Sequence, residues 1–268
     1  MTPSPEGVFL FTTHRETHPS TAPHKERGAP LRRCPEPAEG VLPAFSDLLT
    51  MPRTVIFANG ELNNLAAARH ALRPDDYLIA ADGGAHHCGT LGLNPQIVIG
   101  DFDSLTPEEL NALRDSGSQI IKYPARKDQT DLELALAYAI KQKADDILIL
   151  GALGGRWDQT LANLLLLAHP ALSGARIHVL DGTQHIYLIQ KETTIEGQPG
   201  DTVSLIPIQG DAWGITTQGL EYPLTNGTLP FGSTLGISNV LVGNQAKVEV
   251  REGMVICVVI GREELVHG

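Results

Sequence analysis

From Thr54 onward, short apolar runs alternate with amphipathic stretches. Residues 55–58 read as a strand, Asn59-Gly60 as a turn, and 61–72 as a helix carrying Leu62, Leu65, Ala66 and Arg69 on neighbouring turns. The pattern repeats with a strand at 77–81 that ends on Asp82-Gly83-Gly84, then a helix containing His86 and His87. Adjacent histidines on a helix face different directions, so a metal shared by this pair is not expected. Ile97, Val98 and Ile99 form a branched apolar run of the kind buried on both faces of a parallel sheet. A helix at 107–116 and a strand at 119–123 follow, and 127–141 is a helix with Leu132, Leu136, Ala139 and Ile140 on its apolar side. A strand at 146–150, a helix at 156–169 and a strand at 176–180 close the series. This alternation predicts an α/β fold with a doubly wound, mostly parallel sheet. After Asp181 the helical period disappears. Short strands at 185–190, 193–196, 202–206, 214–217, 239–242, 246–250 and 254–260, parted by Gly, Pro and Asn, predict a following all-β sandwich domain.

The pattern divides the chain into an α/β domain at 51–181 and a β-sandwich domain at 182–268. Residues 1–50, rich in Pro, Thr, His, Glu and Arg, have neither period and are expected to form a disordered extension. Met51 stands directly before the first strand and is expected to be the natural start. A formal net charge of −11 argues against a nucleic-acid partner or an anionic membrane surface. The longest apolar runs are too short to cross a bilayer. Three cysteines, Cys34, Cys88 and Cys257, lie far apart without metal-ligand spacing, which suits structural thiols in the cytoplasm.

Candidate chemistry concentrates after the third strand, in IVIGDFDSL at 97–105. Asp101 and Asp103 are two apart in what reads as an extended stretch, so both carboxylates point to one side, beyond the carboxyl end of a parallel strand where ligands of such sheets bind. A hard cation such as magnesium would relieve their repulsion. The competing reading is a turn in which Asp103 or Ser104 caps the next helix. Asp128 and Asp131 stand at the head of the 127–141 helix, either as a capping pattern with Asp128 at the N-cap or as two more carboxylates on the same sheet edge. In the stretch 151–167, glycines precede Arg156, Trp157 and Asp158. Glycines and an arginine at a helix N-terminus suit an anion, and the alternative is an ordinary turn with Trp157 as core.

These stretches together resemble the thiamine pyrophosphokinase family. ADGGA at 81–85, GDFDSL at 100–105, DQTD at 128–131, GGRWDQTLAN at 154–163 and GISN at 236–239 occur in the family's order and at plausible separations. The resemblance implies a homodimer with sites between subunits that transfers a diphosphoryl group from ATP to thiamine. It implies Asp101, Asp103 and Asp131 as catalytic acids holding magnesium, with Asp128 close by. It places Asp82, Gly83, Gly84, Thr130, Arg156, Asp158 and Gln159 at the nucleotide. Tyr222 takes the place of an aromatic that stacks on thiamine, while Ser238 and Asn239 meet its pyrimidine. His86 stands where the family often has Asn, and Gln159 where many bacterial members have His. The acids alone would also suit a D-x-D glycosyltransferase using a nucleotide sugar, or a non-catalytic thiamine or nucleotide sensor.

Overall fold

The computed structural model describes residues 52–262. The expected extension at 1–50, the start at Met51 and Cys34 lie outside the described residues. Within them the chain runs β1 (Thr54–Phe57), α1 (Leu65–Ala71), β2 (Tyr77–Ala81), α2 (Gly84–Leu91), β3 (Ile97–Gly100), α3 (Pro107–Asp115), β4 (Gln119–Lys122), α4 (Asp131–Lys141), β5 (Asp146–Leu150), α5 (Trp157–Leu166) and β6 (Arg176–Asp181). These strands are mutually parallel in the order β4-β3-β2-β1-β5-β6. The winding therefore reverses between β1 and β5, and that switch point is where an open α/β sheet offers its ligand crevice.

Side chains alternate along β1 between the two faces of the sheet, and both faces are covered. Ile56 joins Ile79, Ile99 and Ile149 under Leu132, Leu136 and Ala139 of α4. Val55 and Phe57 join Ala80 and Val98 under Ala85, Cys88 and Leu91 of α2 on the opposite face. The helix starts follow side-chain caps. Asn64 Oδ1 accepts from Ala67 N at 2.9 Å, so α1 begins at Leu65 and not at 61. Thr130 Oγ1 accepts from Glu133 N at 3.2 Å, so α4 begins at Asp131 and leaves 127–130 as an irregular approach. Trp157 is not core. It is 79% exposed and shares a stripe along α5 with exposed Leu161 and Leu165.

The strand-rich part contains β7 (Gln184–Ile189), β8 (Glu192–Glu196), β9 (Thr202–Gln218), β10 (Gly227–Leu229), β11 (Asn239–Val240), β12 (Gln245–Glu249) and β13 (Glu252–Ile260). β7 pairs antiparallel with β6, so the sheet of the α/β part continues without a break through β13, β9, β12 and β8. The stretches 202–206 and 214–217, read as separate strands, are one strand of 17 residues. Positive φ at Gln209, Gly210 and Gly214 bends β9, and its register slips against β13 between Glu252 and Met254. The bend carries β9 from β13 across to β12. A second core gathers there, including Ile189, Ile195, Val203, Leu205, Val248 and Val255.

Candidate active site at the switch point of the sheet

A cavity of about 600 Å³ is lined by the segments that leave the carboxyl ends of β1, β2, β3 and β5 and by the approach to α4. Asp82, Asp101 and Asp103 each bring one carboxylate oxygen to within 4.8 Å of the others. Asp82 leaves β2 with φ of 48°, and its N–H donates to Ile99 O at 2.7 Å, which ties this turn to β3. The residue is 4% exposed, yet its Oδ1 has no hydrogen-bond partner. A buried, unpaired carboxylate oxygen beside a cavity is costly unless a ligand takes it.

Asp101 and Asp103 converge by a route different from the extended stretch expected. Phe102 between them takes the left-handed conformation, φ 64°, and is buried in the core beneath. The anchored ring turns the loop, so Asp103 N donates back to Asp101 Oδ1 at 3.3 Å. Ser104 Oγ donates to Asp103 Oδ1 at 3.2 Å and accepts from Asn59 Nδ2 at 3.1 Å, linking this loop to the end of β1.

Lys127 lies among these acids. Its Nζ is 3.1 Å from Asp101 Oδ2 and 2.9 Å from Asp131 Oδ1, with a side chain only 9% exposed. The contact to Asp131 is an ion pair without a well-directed hydrogen bond. Gly100 allows the close approach of the acids: a Cβ there would stand 3.0 Å from Asp82 Cβ and 3.4 Å from Asp131 Cγ. Burial lifts the Asp131 carboxyl above its ordinary value, helped by the charges of Asp101 and Asp82 and opposed by Lys127. At Asp101 burial acts upward too, but the Lys127 hydrogen bond and charge and the Asp103 amide outweigh it, and the net shift is downward. Burial alone would lower Lys127, and its two carboxylate partners instead hold it above the ordinary lysine range.

The remaining sequence candidates divide. Thr130, Arg156 and Gln159 line the cavity. Asp128 does not: it is exposed, outside the acidic group, and the helix cap it was expected to supply comes from Thr130. Gly83 and Gly84 do not line the cavity either. A Cβ on Gly84 would fall 2.0 Å from Phe57 O, and one on Gly83 would fall 2.2 Å from Asn59 Oδ1, so both glycines admit the chain leaving β1. Arg156 holds exposed Asp158 through Nε–Oδ1 at 3.1 Å and Nη2–Oδ2 at 2.5 Å. His86 and His87 do turn to different partners, Glu109 Oε1 and Gly60 O. Tyr222, Ser238 and Asn239 lie outside this cavity; Tyr222 is 65% exposed and Ser238 N donates to Ser204 Oγ at 3.1 Å. Sequence reasoning missed Lys127, and it placed Asp82 with the nucleotide and not with the acids. For Lys127 the available signal was its i,i+4 spacing to Asp131.

An acidic cavity over the switch point of a doubly wound sheet that continues into a strand-rich part defines a two-part α/β protein built to hold a ligand at that edge. Comparison with known proteins narrows this. Residues 68–179 match "Thiamin pyrophosphokinase, catalytic domain" and residues 187–255 match "Thiamin pyrophosphokinase, vitamin B1 binding domain". The thiamine pyrophosphokinase of Bacillus subtilis is 35% identical over 182 residues, which is 67% of this chain and 85% of that protein. Its crystal structure superposes with a TM-score of 0.71 at 30% identity, over 78% of this chain and 99% of the other. A thiamin pyrophosphokinase family protein from Enterococcus faecalis superposes with a TM-score of 0.70 at 27% identity, over 79% and 100%. The chain belongs to the thiamine pyrophosphokinase family.

Proposed function

We infer that this protein is a thiamine diphosphokinase, which transfers a diphosphoryl group from ATP to the hydroxyl of thiamine and releases AMP. Family membership supports this over a glycosyltransferase or a sensor, and the acidic group of Asp82, Asp101 and Asp103 beside the switch point carries it structurally. The α/β part, 51–181, would take the nucleotide, and the strand-rich part, 182–268, would take thiamine.

Asp82, Asp101, Asp103 and Asp131 would hold magnesium, which fits the unpartnered Oδ1 of Asp82 and the crowding of four carboxylates at one edge. When bound, it supplies neutralisation of the phosphate oxygens and fixes their orientation. Arg156, at the mouth of the cavity, would exchange Asp158 for a phosphate oxygen, its planar fork suiting either anion. Thr130 and Gln159 would line the nucleotide. In the reaction a bond forms from the thiamine hydroxyl oxygen to the β-phosphorus. The bond from that phosphorus to the oxygen shared with the α-phosphorus breaks, AMP leaves with that oxygen, and the hydroxyl proton passes to water or to a carboxylate of the edge. The chain's part in this is placement and charge compensation.

Tyr222 would stack on the cationic thiazolium or the pyrimidine. The exposed apolar stripe of Trp157, Leu161 and Leu165, with exposed Phe231, Leu235 and Ile237 in the strand-rich part, supports a homodimer that covers such surfaces. No helix among the described residues is long and apolar enough to cross a membrane, and the free, buried thiols of Cys88 and Cys257 suit a reducing cytoplasm. The test is product formation from ATP and magnesium with and without thiamine. Thiamine diphosphate should appear only when both substrates are present, and ATP turnover independent of thiamine would refute the assignment.

A further inference from the structure

The carboxylates proposed to hold a divalent cation already hold a charge. Lys127 Nζ stands 3.1 Å from Asp101 Oδ2 and 2.9 Å from Asp131 Oδ1, and its side chain is withdrawn from solvent. A divalent cation held by those two carboxylates would share them with the ammonium, and like charges brought that close repel strongly in a partly buried site. Ammonium and divalent cation therefore compete for the same atoms. The site itself is more than a cluster of acids, because Asp82, 4% exposed, lines the same cavity and leaves its buried Oδ1 without a partner. Lys127 is also placed to move. It precedes the Thr130 cap on an irregular segment, and its flexible stem carries three donors that swing without disturbing α4. Among the described residues, Lys127 and Arg156 are the two cationic ones that line the cavity, and Arg156 is exposed and engaged by Asp158.

We propose that Lys127 is the internal counter-ion of the ligand-free site, displaced from Asp101 and Asp131 when a divalent cation enters and passed to the phosphate oxygens of the nucleotide. The nucleotide-free protein then binds divalent cation weakly, and cation and nucleotide enter as a pair. The identity of the anion rests on the diphosphokinase reading; the competition between Lys127 and the cation is measurable without turnover.

The experiment titrates manganese(II) onto nucleotide-free wild type, Lys127→Gln and Lys141→Gln, followed by calorimetry or by the spin signal of the free ion. Lys141 ends α4, exposed and about 15 Å along the helix from Asp131, so its variant removes the same charge at a distance. Lys127→Gln should bind manganese(II) about tenfold tighter or more, and Lys141→Gln should stay within about twofold of wild type. Lys127→Gln should also bind a non-hydrolysable ATP analogue more weakly. Equal or weaker manganese binding in Lys127→Gln, or equal tightening in Lys141→Gln, overturns the proposal while leaving the metal site standing. No manganese binding by any of the three proteins, with or without the analogue, overturns the metal reading and the proposal together. Should Lys127→Gln fail to fold, wild-type crystals soaked in manganese(II) decide: an ion on Asp101 and Asp131 with Lys127 still in place refutes displacement, and an ion there with Lys127 turned away supports it.

Discussion

Asn239 and Tyr222 exchange two hydrogen bonds: Tyr222 N donates to Asn239 Oδ1 at 3.0 Å, and Asn239 Nδ2 donates to Tyr222 O at 2.8 Å. Asn239 Oδ1 also accepts from Val240 N at 2.8 Å, so this amide braces the backbone that carries Tyr222 while the ring stays exposed. Under the proposed function the exposed ring would stack on the flat cation of thiamine, an interaction worth about 0.5–2 kcal/mol. Tyr222→Ala should raise KM for thiamine several-fold with KM for ATP unchanged, and Tyr222→Trp should be tolerated. Asn239→Ala should act in the same direction through the loosened loop. Steady-state kinetics with each substrate varied in turn checks this, and an equal effect on both substrates would make Tyr222 a packing residue.

The acidic edge predicts a split between stability and activity. Asp82, Asp101 and Asp103 repel one another when no cation is bound, and Asp82 Oδ1 is unpaired. Asp82→Asn and Asp103→Asn should therefore leave thermal stability unchanged or raise it by up to about 1 kcal/mol, while turnover collapses. If these acids merely shape turns, thermal denaturation and turnover would show the reverse: a small loss of stability with activity retained.

Two glycines of α2 predict opposite outcomes for the same substitution. A Cβ on Gly84 would lie 2.0 Å from Phe57 O, a backbone atom of the central strand that cannot yield. Gly84→Ala should cost about 1–3 kcal/mol or prevent folding. A Cβ on Gly89 meets nothing within 4 Å, so Gly89→Ala should stabilise by about 0.5–1 kcal/mol. Urea denaturation of the two variants measures both.

How far the sequence foretold these features depended on how local their causes are. β2 and β5 were found with their observed bounds because each is a run of apolar residues buried on almost every position, ended by Asp82 in one case and by Gly151 in the other. Helix starts were misplaced where the capping side chain was not the first polar residue, as at Asn64 and Thr130. The bent β9 was split because Pro207, Gln209 and Gly210 read locally as a loop, and only its partners β13 and β12 keep it a strand. Trp157 was open to a core reading because an apolar stripe does not state what covers it. The joining of Asp82, Asp101 and Lys127 could not be read from spacing, since three separate loops meet only after the sheet has formed.

The pairing of His178 with His185 predicts a loss of stability in mild acid. His178 Nε2 lies 2.9 Å from His185 Nδ1 at the β6–β7 pairing, and both rings stack with Tyr187. Burial, reinforced by the charges of His185 and Arg53, pushes His178 down to about 3; burial also lowers His185, against the attraction of Asp201. The unfolded chain takes up the His178 proton near pH 6.5 and the folded chain only near 3, so this contribution to stability is full above about pH 6.5 and falls as pH drops below it, with His185 acting in the same direction. For His178 alone the loss between pH 7 and pH 5 should be about 2 kcal/mol. Urea titrations at both pH values check this, and His178→Phe should flatten the dependence whatever its absolute stability.

Diphosphoryl transfer breaks the bond between the α- and β-phosphates. The direct measurement incubates the purified protein with ATP, magnesium and thiamine, resolves the adenine nucleotides by chromatography and quantifies them against the thiamine product. AMP and thiamine diphosphate should form in equal amounts; ADP in equal amount to thiamine monophosphate would rule out diphosphoryl transfer.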